Sequence, residues 1–297
     1  MVGGPGSGAS EPGRPSGGQP GPPPIGVALG SIGVDIGWWL DSARRLDEAG
    51  YDALWCWDHF VSRGRLADPV VEQWTTLTAA AAVTTRIGVG TFVTNVMNRH
   101  PAVVARMAAT LQQLSSGRLT LGIGAGGNPG EHAAYGIPFP PIEERVGRLE
   151  EAVGVIRALW TGGPVSREGR FYSLQDAVAF PRPEPAPRLL IGASSPRGMR
   201  LAARIGDGWA AEADDFVRLE VAWHHALEHE GRVPGDVQLV LGFGSGRSGE
   251  DALQGSPWTT EPLEALATWQ ARGADRIVVP ARTTPDVDAL VKAAERW

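Results

Sequence analysis

The sequence predicts an α/β protein folded as one (β/α)8 TIM barrel with insertions after its fourth strand, and two observations carry that prediction. Eight short apolar or β-branched runs alternate with eight longer stretches of helical periodicity, the rhythm of successive βα units in a parallel sheet. The length of 297 residues is compatible, since a barrel of about 250 residues is routine as a single domain, although the same length would also serve two ordinary domains.

The strands are expected at Ile25–Leu29, Ala53–Trp57, Ile87–Phe92, Leu119–Gly124, Arg188–Ile191, Gly208–Ala211, Val237–Leu241 and Arg276–Val279. Helices are expected at 36–49, 70–84, 101–114, 142–160, 196–206, 214–230, 260–272 and 285–296, several of them opening near Asp, Ser, Thr or Pro. An open, doubly wound sheet is the alternative, because a miscount of one or two strands would remove the closure. Residues 125–141 and 161–187 are rich in Gly and Pro and are read as insertions on the catalytic face, flanking the fourth helix.

Residues 1–24 are nearly all Gly, Pro and Ser, a composition that buries too little apolar surface to offset the entropy of ordering, so a disordered extension is expected ahead of a barrel domain at 25–297. They hold no apolar run of the length a secretory signal needs, and no stretch of about 18 apolar residues is found, so a cytoplasmic protein with no membrane partner is expected. The net charge of −6, without a run of five or six like charges, argues against nucleic acid and favours a small-molecule substrate. The single cysteine, Cys56, excludes an intramolecular disulfide and a cysteine-rich metal site; between Trp55 and Trp57 it reads as a packing residue. His225 and His229 have the spacing of a metal pair, but a solvated helix face explains them better, and no metal is assigned.

In such a barrel the residues just after each strand have the first claim on function. Strand two is followed by Asp58-His59-Phe60, where an imidazole beside a carboxylate can act as a general acid or base; turn capping and surface exposure are the alternative for this pair. Strand three ends in Gly90-Thr91-Phe92-Val93-Thr94-Asn95, small and hydroxylated enough for a flat ring to approach, or simply a buried strand end. Strand four ends in the glycine-rich Gly122–Asn128 run; a dinucleotide fingerprint is disfavoured there because Pro129, Pro138, Pro140 and Pro141 follow and no helix is expected to open at once. Strand five leads through Ala193, Ser194, Ser195 and Arg197 into a helix start, a combination suited either to a phosphate or to ordinary capping. No nucleophile elbow, zinc pair or P-loop is found.

Several ordered segments resemble the luciferase-like monooxygenase superfamily, in particular its actinobacterial F-420-dependent oxidoreductase branch. They are L-W-C-W-D-H-F (54–60), R-I-G-V-G-T-F-V-T (86–94), R-H-P-A-V-V-A-R-M-A-A-T-L (99–111), S-G-R-L-T-L-G-I-G-A-G (116–126), E-H-A-A-Y-G-I-P-F-P (131–140), R-L-E-E-A-V-G-V-I-R-A-L-W (148–160) and G-D-G-W (206–209). The resemblance implies a bacterial luciferase-like barrel that binds coenzyme F-420, a deazaflavin, for hydride transfer to or from an organic substrate. It implies His59 as proton donor or acceptor and Asp58 as its orienter or a cofactor contact. It places Thr91, Phe92 and Thr94 beside the ring, with a non-prolyl cis peptide at Thr91–Phe92. Gly124, Ala125, Gly126 and Asn128 would line the ring edge, and Ala193, Ser194, Ser195 and Arg197 the phosphate-bearing tail. Two alternatives accompany it: an FMN-dependent monooxygenase served by a separate flavin reductase, and a flavin-binding barrel without turnover. A homodimer is implied by analogy alone. Close relatives carry a tryptophan, and the glucose-6-phosphate dehydrogenases a carboxylate, near the place of Gly127, so a wider pocket and a substrate other than a sugar phosphate are expected.

Overall fold

The eight expected strands all form, and they close on one another. In the computed structural model, which describes residues 21–62, 67–243 and 253–297, the elements run β1 (Ile25–Leu29), α1 (Ile36–Ala49), β2 (Ala53–Cys56), α2 (Gln73–Val83), β3 (Gly88–Thr91), β4 (Thr94–Asn95), α3 (Pro101–Leu114), β5 (Leu119–Gly124), α4 (Pro129–Tyr135), α5 (Ile142–Leu159), β6 (Val165–Arg167), β7 (Leu174–Ala177), β8 (Arg188–Gly192), α6 (Pro196–Ile205), β9 (Gly208–Glu212), α7 (Ala213–His229), β10 (Gln238–Gly242), α8 (Pro257–Thr260), α9 (Pro262–Gln270), β11 (Arg276–Ala281) and α10 (Thr284–Ala294). Eight parallel strands follow the order β3-β2-β1-β11-β10-β9-β8-β5, and the β3–β5 pairing closes the ring, with Val89 opposite Leu119. The open-sheet alternative is thereby removed. Most of the expected extension, residues 1–20, lies outside the described residues.

Local chemistry explains the boundaries. Asp35 caps α1 by accepting from the Trp38 N–H at 2.9 Å, and Gly50 ends that helix at φ 85°, a left-handed conformation natural to glycine. Thr283 and Asp286 form a reciprocal capping box at the start of α10. Asp47, near the end of α1, accepts backbone N–H groups of Thr85, Arg86 and Ile87 and so ties that helix to the entry of β3. Burial pushes the Asp47 carboxyl up, but those N–H donors outweigh it and hold the group below the usual carboxylate range. Arg118 performs the corresponding task between the end of α2 and the start of β5, donating to the carbonyls of Ala81, Thr84, Ile87 and Ser115.

The two expected insertions contain structure that composition concealed. A helix does open directly after the glycine run, because Pro129 occupies the first helical position, where its missing N–H is not needed; Asn128 caps it. Residues 161–187 fold a two-stranded antiparallel hairpin, β6–β7, rooted at the opposite end of the barrel from the catalytic face, while its tip reaches His100 at the start of α3. This segment joins the end of α5 to the start of β8, both at the N-terminal end of the barrel, and the hairpin lies along the outside of α5. There the Glu151 carboxylate accepts the N–H groups of Phe171 and Tyr172, and the Tyr172 ring meets His100 at 5.2 Å. The helix expected at 260–272 is α9, which opens at Pro262, and a separate single turn, α8, precedes it.

The interior of the barrel is filled, not hollow. Ala28, Ala53, Trp55, Leu190, Ala210, Val240 and Val278 form an inner cluster separate from the larger core between sheet and helices. Most of its members are small, and the Trp55 indole fills the remaining space. The absence of a side chain at Gly90 makes this possible, since a Cβ there would stand 2.5 Å from the Trp55 ring. Trp57, Phe92 and Val93 cap this inner cluster at the C-terminal end, with Phe92 edge-on to Trp55 at 5.8 Å.

Candidate active site

The end of β2 delivers Trp57, Asp58 and His59 to the barrel mouth, and the neighbouring residues give the last two different tasks. The Asp58 carboxylate, 1% exposed, is gripped by both terminal nitrogens of Arg99, at 2.8 and 3.1 Å. It also accepts from the Asn95 N–H at 2.9 Å and the Asn98 amide at 3.1 Å. Arg99 in turn reaches Glu72 at 2.5 Å. Burial works against the Arg99 charge, but Asp58 and Glu72 more than compensate and raise its pKa. Asp58 is thus the anchor that fixes residues 95–99 against β2, and its oxygens are engaged away from His59.

His59 has a different carboxylate partner. Its Nδ1 lies 3.1 Å from Oε2 of Glu131, in the first turn of α4, while its side chain keeps 32% of its surface exposed. Glu131 is itself buried: its other oxygen accepts the Phe60 N–H, and Oε2 also accepts from the Asn128 amide at 3.0 Å. Sequence reasoning did not find Glu131 because its partner lies 72 residues away. A local signal was nonetheless present, for Asn128-Pro129-Gly130-Glu131 has the spacing of a capping box. Asn128 does cap the helix, its Oδ1 accepting the Glu131 N–H, while the glutamate turns outward to His59 and Phe60.

The non-prolyl cis peptide is present one bond later than expected, at Phe92–Val93 and not at Thr91–Phe92. Of the expected ring contacts from this segment, Phe92 is partly exposed at the mouth, whereas Thr91 and Thr94 are fully buried. The Thr91 hydroxyl donates to the Gly122 carbonyl at 2.6 Å and that of Thr94 to the Gln73 side chain at 2.8 Å, so both work inside the barrel wall. Val93 reaches instead over strands β5 and β8, where a Cβ on Gly124 or Gly192 would collide with its methyl groups.

The remaining expected contacts surround this floor. Gly126 has φ 78°, and a Cβ on it would press on the Asn95 side chain, so backbone and neighbour both demand glycine there. The Ala125 carbonyl accepts from Arg145 at 3.1 Å, and Asn128 is engaged with α4. At the start of α6 the Ser195 hydroxyl caps the Gly198 N–H, while the carbonyls of Ala193 and Ser194 accept from Trp209 and Arg218. Arg197 and the Ser194 side chain remain exposed.

Comparisons with known proteins identify the family and the fold. The sequence model described as luciferase-like monooxygenase matches residues 20–245. The chain belongs to that family. Among its curated relatives, it is 41% identical over 166 residues to an F-420-dependent glucose-6-phosphate dehydrogenase of Beutenbergia cavernae, covering 55% of this chain and 48% of the relative. It is 34% identical over 226 residues to an F-420-dependent hydroxymycolic acid dehydrogenase of Mycobacterium tuberculosis, covering 74% of this chain and 62% of the relative. The chain therefore spans about half to three-fifths of the length of these relatives. Among solved structures, an F-420-dependent secondary alcohol dehydrogenase in complex with an F-420–acetone adduct superposes with a TM-score of 0.77 at 20% identity, over 93% of this chain and 98% of the other. The tetrahydromethanopterin reductase of Methanopyrus kandleri gives 0.72 at 19%, over 92% and 97%. At these identities the structural likeness establishes the luciferase-like fold.

A second histidine of this luciferase-like site has a different character. His132 is 1% exposed, its ring packs 4.5 Å from that of Phe139, and its Nε2 lies 2.8 Å from the Asn95 amide nitrogen. Because Asn95 Oδ1 accepts the Met97 N–H, its amide nitrogen faces His132, whose Nε2 must accept and so be unprotonated. Burial lowers the His132 pKa below 6.5, with Arg145 adding to the effect and Glu131 and Asp58 opposing it. The unfolded chain therefore binds the extra proton first as pH falls, and stability should decline from about pH 6.5 down through the folded pKa, with no such effect above pH 7. Thermal melts from pH 7.5 to 5 should show this slope, and a His132→Gln variant should lack the part of it due to this ring.

Proposed function

We propose that this chain is an F-420-dependent oxidoreductase that interconverts an alcohol and a carbonyl compound, with His59 handling the proton. The observation that carries the reading is the partly exposed His59 imidazole at the barrel mouth, held through Nδ1 by the buried Glu131, two residues beyond Trp57 on an apolar floor. The F-420-dependent activities of relatives at 34–41% identity supply the cofactor class.

The residues present fit such a group. Trp57, Phe92 and Val93 offer a partly exposed apolar surface for a flat ring, and the start of α6, with Ser194 and Arg197 exposed beside it, suits an anionic tail. When bound, the deazaflavin supplies a two-electron hydride acceptor or donor. His59 Nε2 would take the hydroxyl proton of the alcohol as its carbon gives up hydride, and would return it in the reverse direction. The floor shields one side of the reacting centre from water, and the Asp58–Arg99 pair keeps the loop beside His59 in place.

An anaerobic titration with F-420 and, separately, with FMN tests the cofactor. Tight F-420 binding with much weaker FMN binding supports the reading; the reverse preference would make the protein an FMN enzyme, and binding of neither would defeat the assignment. Glucose 6-phosphate is expected to give no F-420 reduction above background. A Cβ at Gly127 would have nothing within 4 Å, and the backbone there does not need glycine, so this rim position is open and carries no acid.

A further inference from the structure

We propose that Glu131 is the positioning residue that fixes the tautomer of His59, placing the ring proton on Nδ1 and leaving Nε2 as the proton-exchanging atom. This rests on the functional reading only for the use made of Nε2; the tautomer itself is a property of the protein alone.

The argument is one of donors and acceptors. Glu131 is an ion surrounded by N–H donors: Phe60 N–H on one oxygen, and the Asn128 amide with His59 Nδ1 on the other. Asn128 cannot present its oxygen instead, because Oδ1 already accepts the Glu131 N–H. A carboxylate accepts only, so the ring nitrogen 3.1 Å from it must carry a proton. The neutral ring is then an Nδ1–H imidazole, and taking up a substrate proton converts it to imidazolium without turning the ring. Asp58, the sequence neighbour, cannot perform this task, since its oxygens meet Arg99, Asn95 and Asn98.

The same logic predicts an inversion. In Glu131→Gln the side-chain oxygen stays on the Phe60 N–H, a backbone donor that cannot turn away, so the new NH2 faces His59 and displaces the Asn128 amide, which can rotate aside. Nδ1 must then accept, and the proton moves to Nε2, the nitrogen that should be free to receive one. Glu131→Asp keeps an acceptor and should keep the wild-type tautomer. The two ring nitrogens are distinguishable by 15N NMR of the cofactor-free protein above the pH at which the ring titrates. The His59 signal is identified among the six histidines by its loss in His59→Asn.

Expected are an Nδ1–H ring in the wild type and in Glu131→Asp, and an Nε2–H ring in Glu131→Gln with turnover reduced on the order of 10²–10⁴-fold. A wild-type ring protonated mainly on Nε2 overturns the proposal without any variant, as does a folded Glu131→Gln protein that keeps Nδ1–H. Failure to bind F-420 would defeat the functional reading and leave this measurement intact, so the two can fail separately.

Discussion

Replacing His59 with alanine is expected to slow turnover by about 10²–10⁴-fold, the usual contribution of a positioned general acid or base, while F-420 still binds. The asymmetry follows from the geometry. The ring stands at the edge of the mouth, 32% exposed and tethered through one nitrogen, so its removal leaves Trp57, Phe92 and Val93 in place. Measuring kcat and cofactor affinity on the same preparation checks this. A variant that keeps wild-type turnover would remove His59 from the chemistry, and a protein that binds F-420 but turns over no alcohol or ketone even as wild type would fit the non-catalytic barrel.

The second large effect is on stability. In Arg99→Met the Asp58 carboxylate, 1% exposed, would keep only the Asn95 N–H and the Asn98 amide and would lose the cation that neutralises it. Breaking a buried pair from one side costs about 3–5 kcal/mol, because the remaining charge is stranded. For a domain of this size that is a fall in Tm on the order of 10 °C, readable by calorimetry. Removing both charges, as in Arg99→Met with Asp58→Asn, should recover part of the loss. A single variant that melts within about 2 °C of the wild type would show that Arg99 does not anchor this corner.

The barrel was legible in the sequence because its evidence is local. Most strands are short runs buried on both faces and therefore largely apolar, as in Ile25–Leu29 and residues 277–281, and several of the helices between them carry their own caps. What escaped was set by partners distant in sequence. Asp58 and His59 read as a pair because they are adjacent, yet successive side chains at a strand end diverge; Asp58 turns to Arg99 and His59 to Glu131, 41 and 72 residues away. Thr91 and Thr94 have the residue type of ligand contacts and are claimed by the wall, and no local pattern tells a hydroxyl facing Gly122 from one facing a ring. α4 was hidden by Pro129, which reads as a breaker until it is recognised as a first helical residue.

Trp55 has a kinetic consequence. With its indole filling the strand cylinder beneath Phe92, the barrel is stoppered from below, and among the described residues the approach to the floor is from the mouth. A cofactor lying on the floor must enter before any reactant that rests on top of it, and the converted reactant must leave before the cofactor can exchange. Steady-state analysis should therefore give intersecting lines and a product-inhibition pattern of compulsory order, cofactor on first and off last.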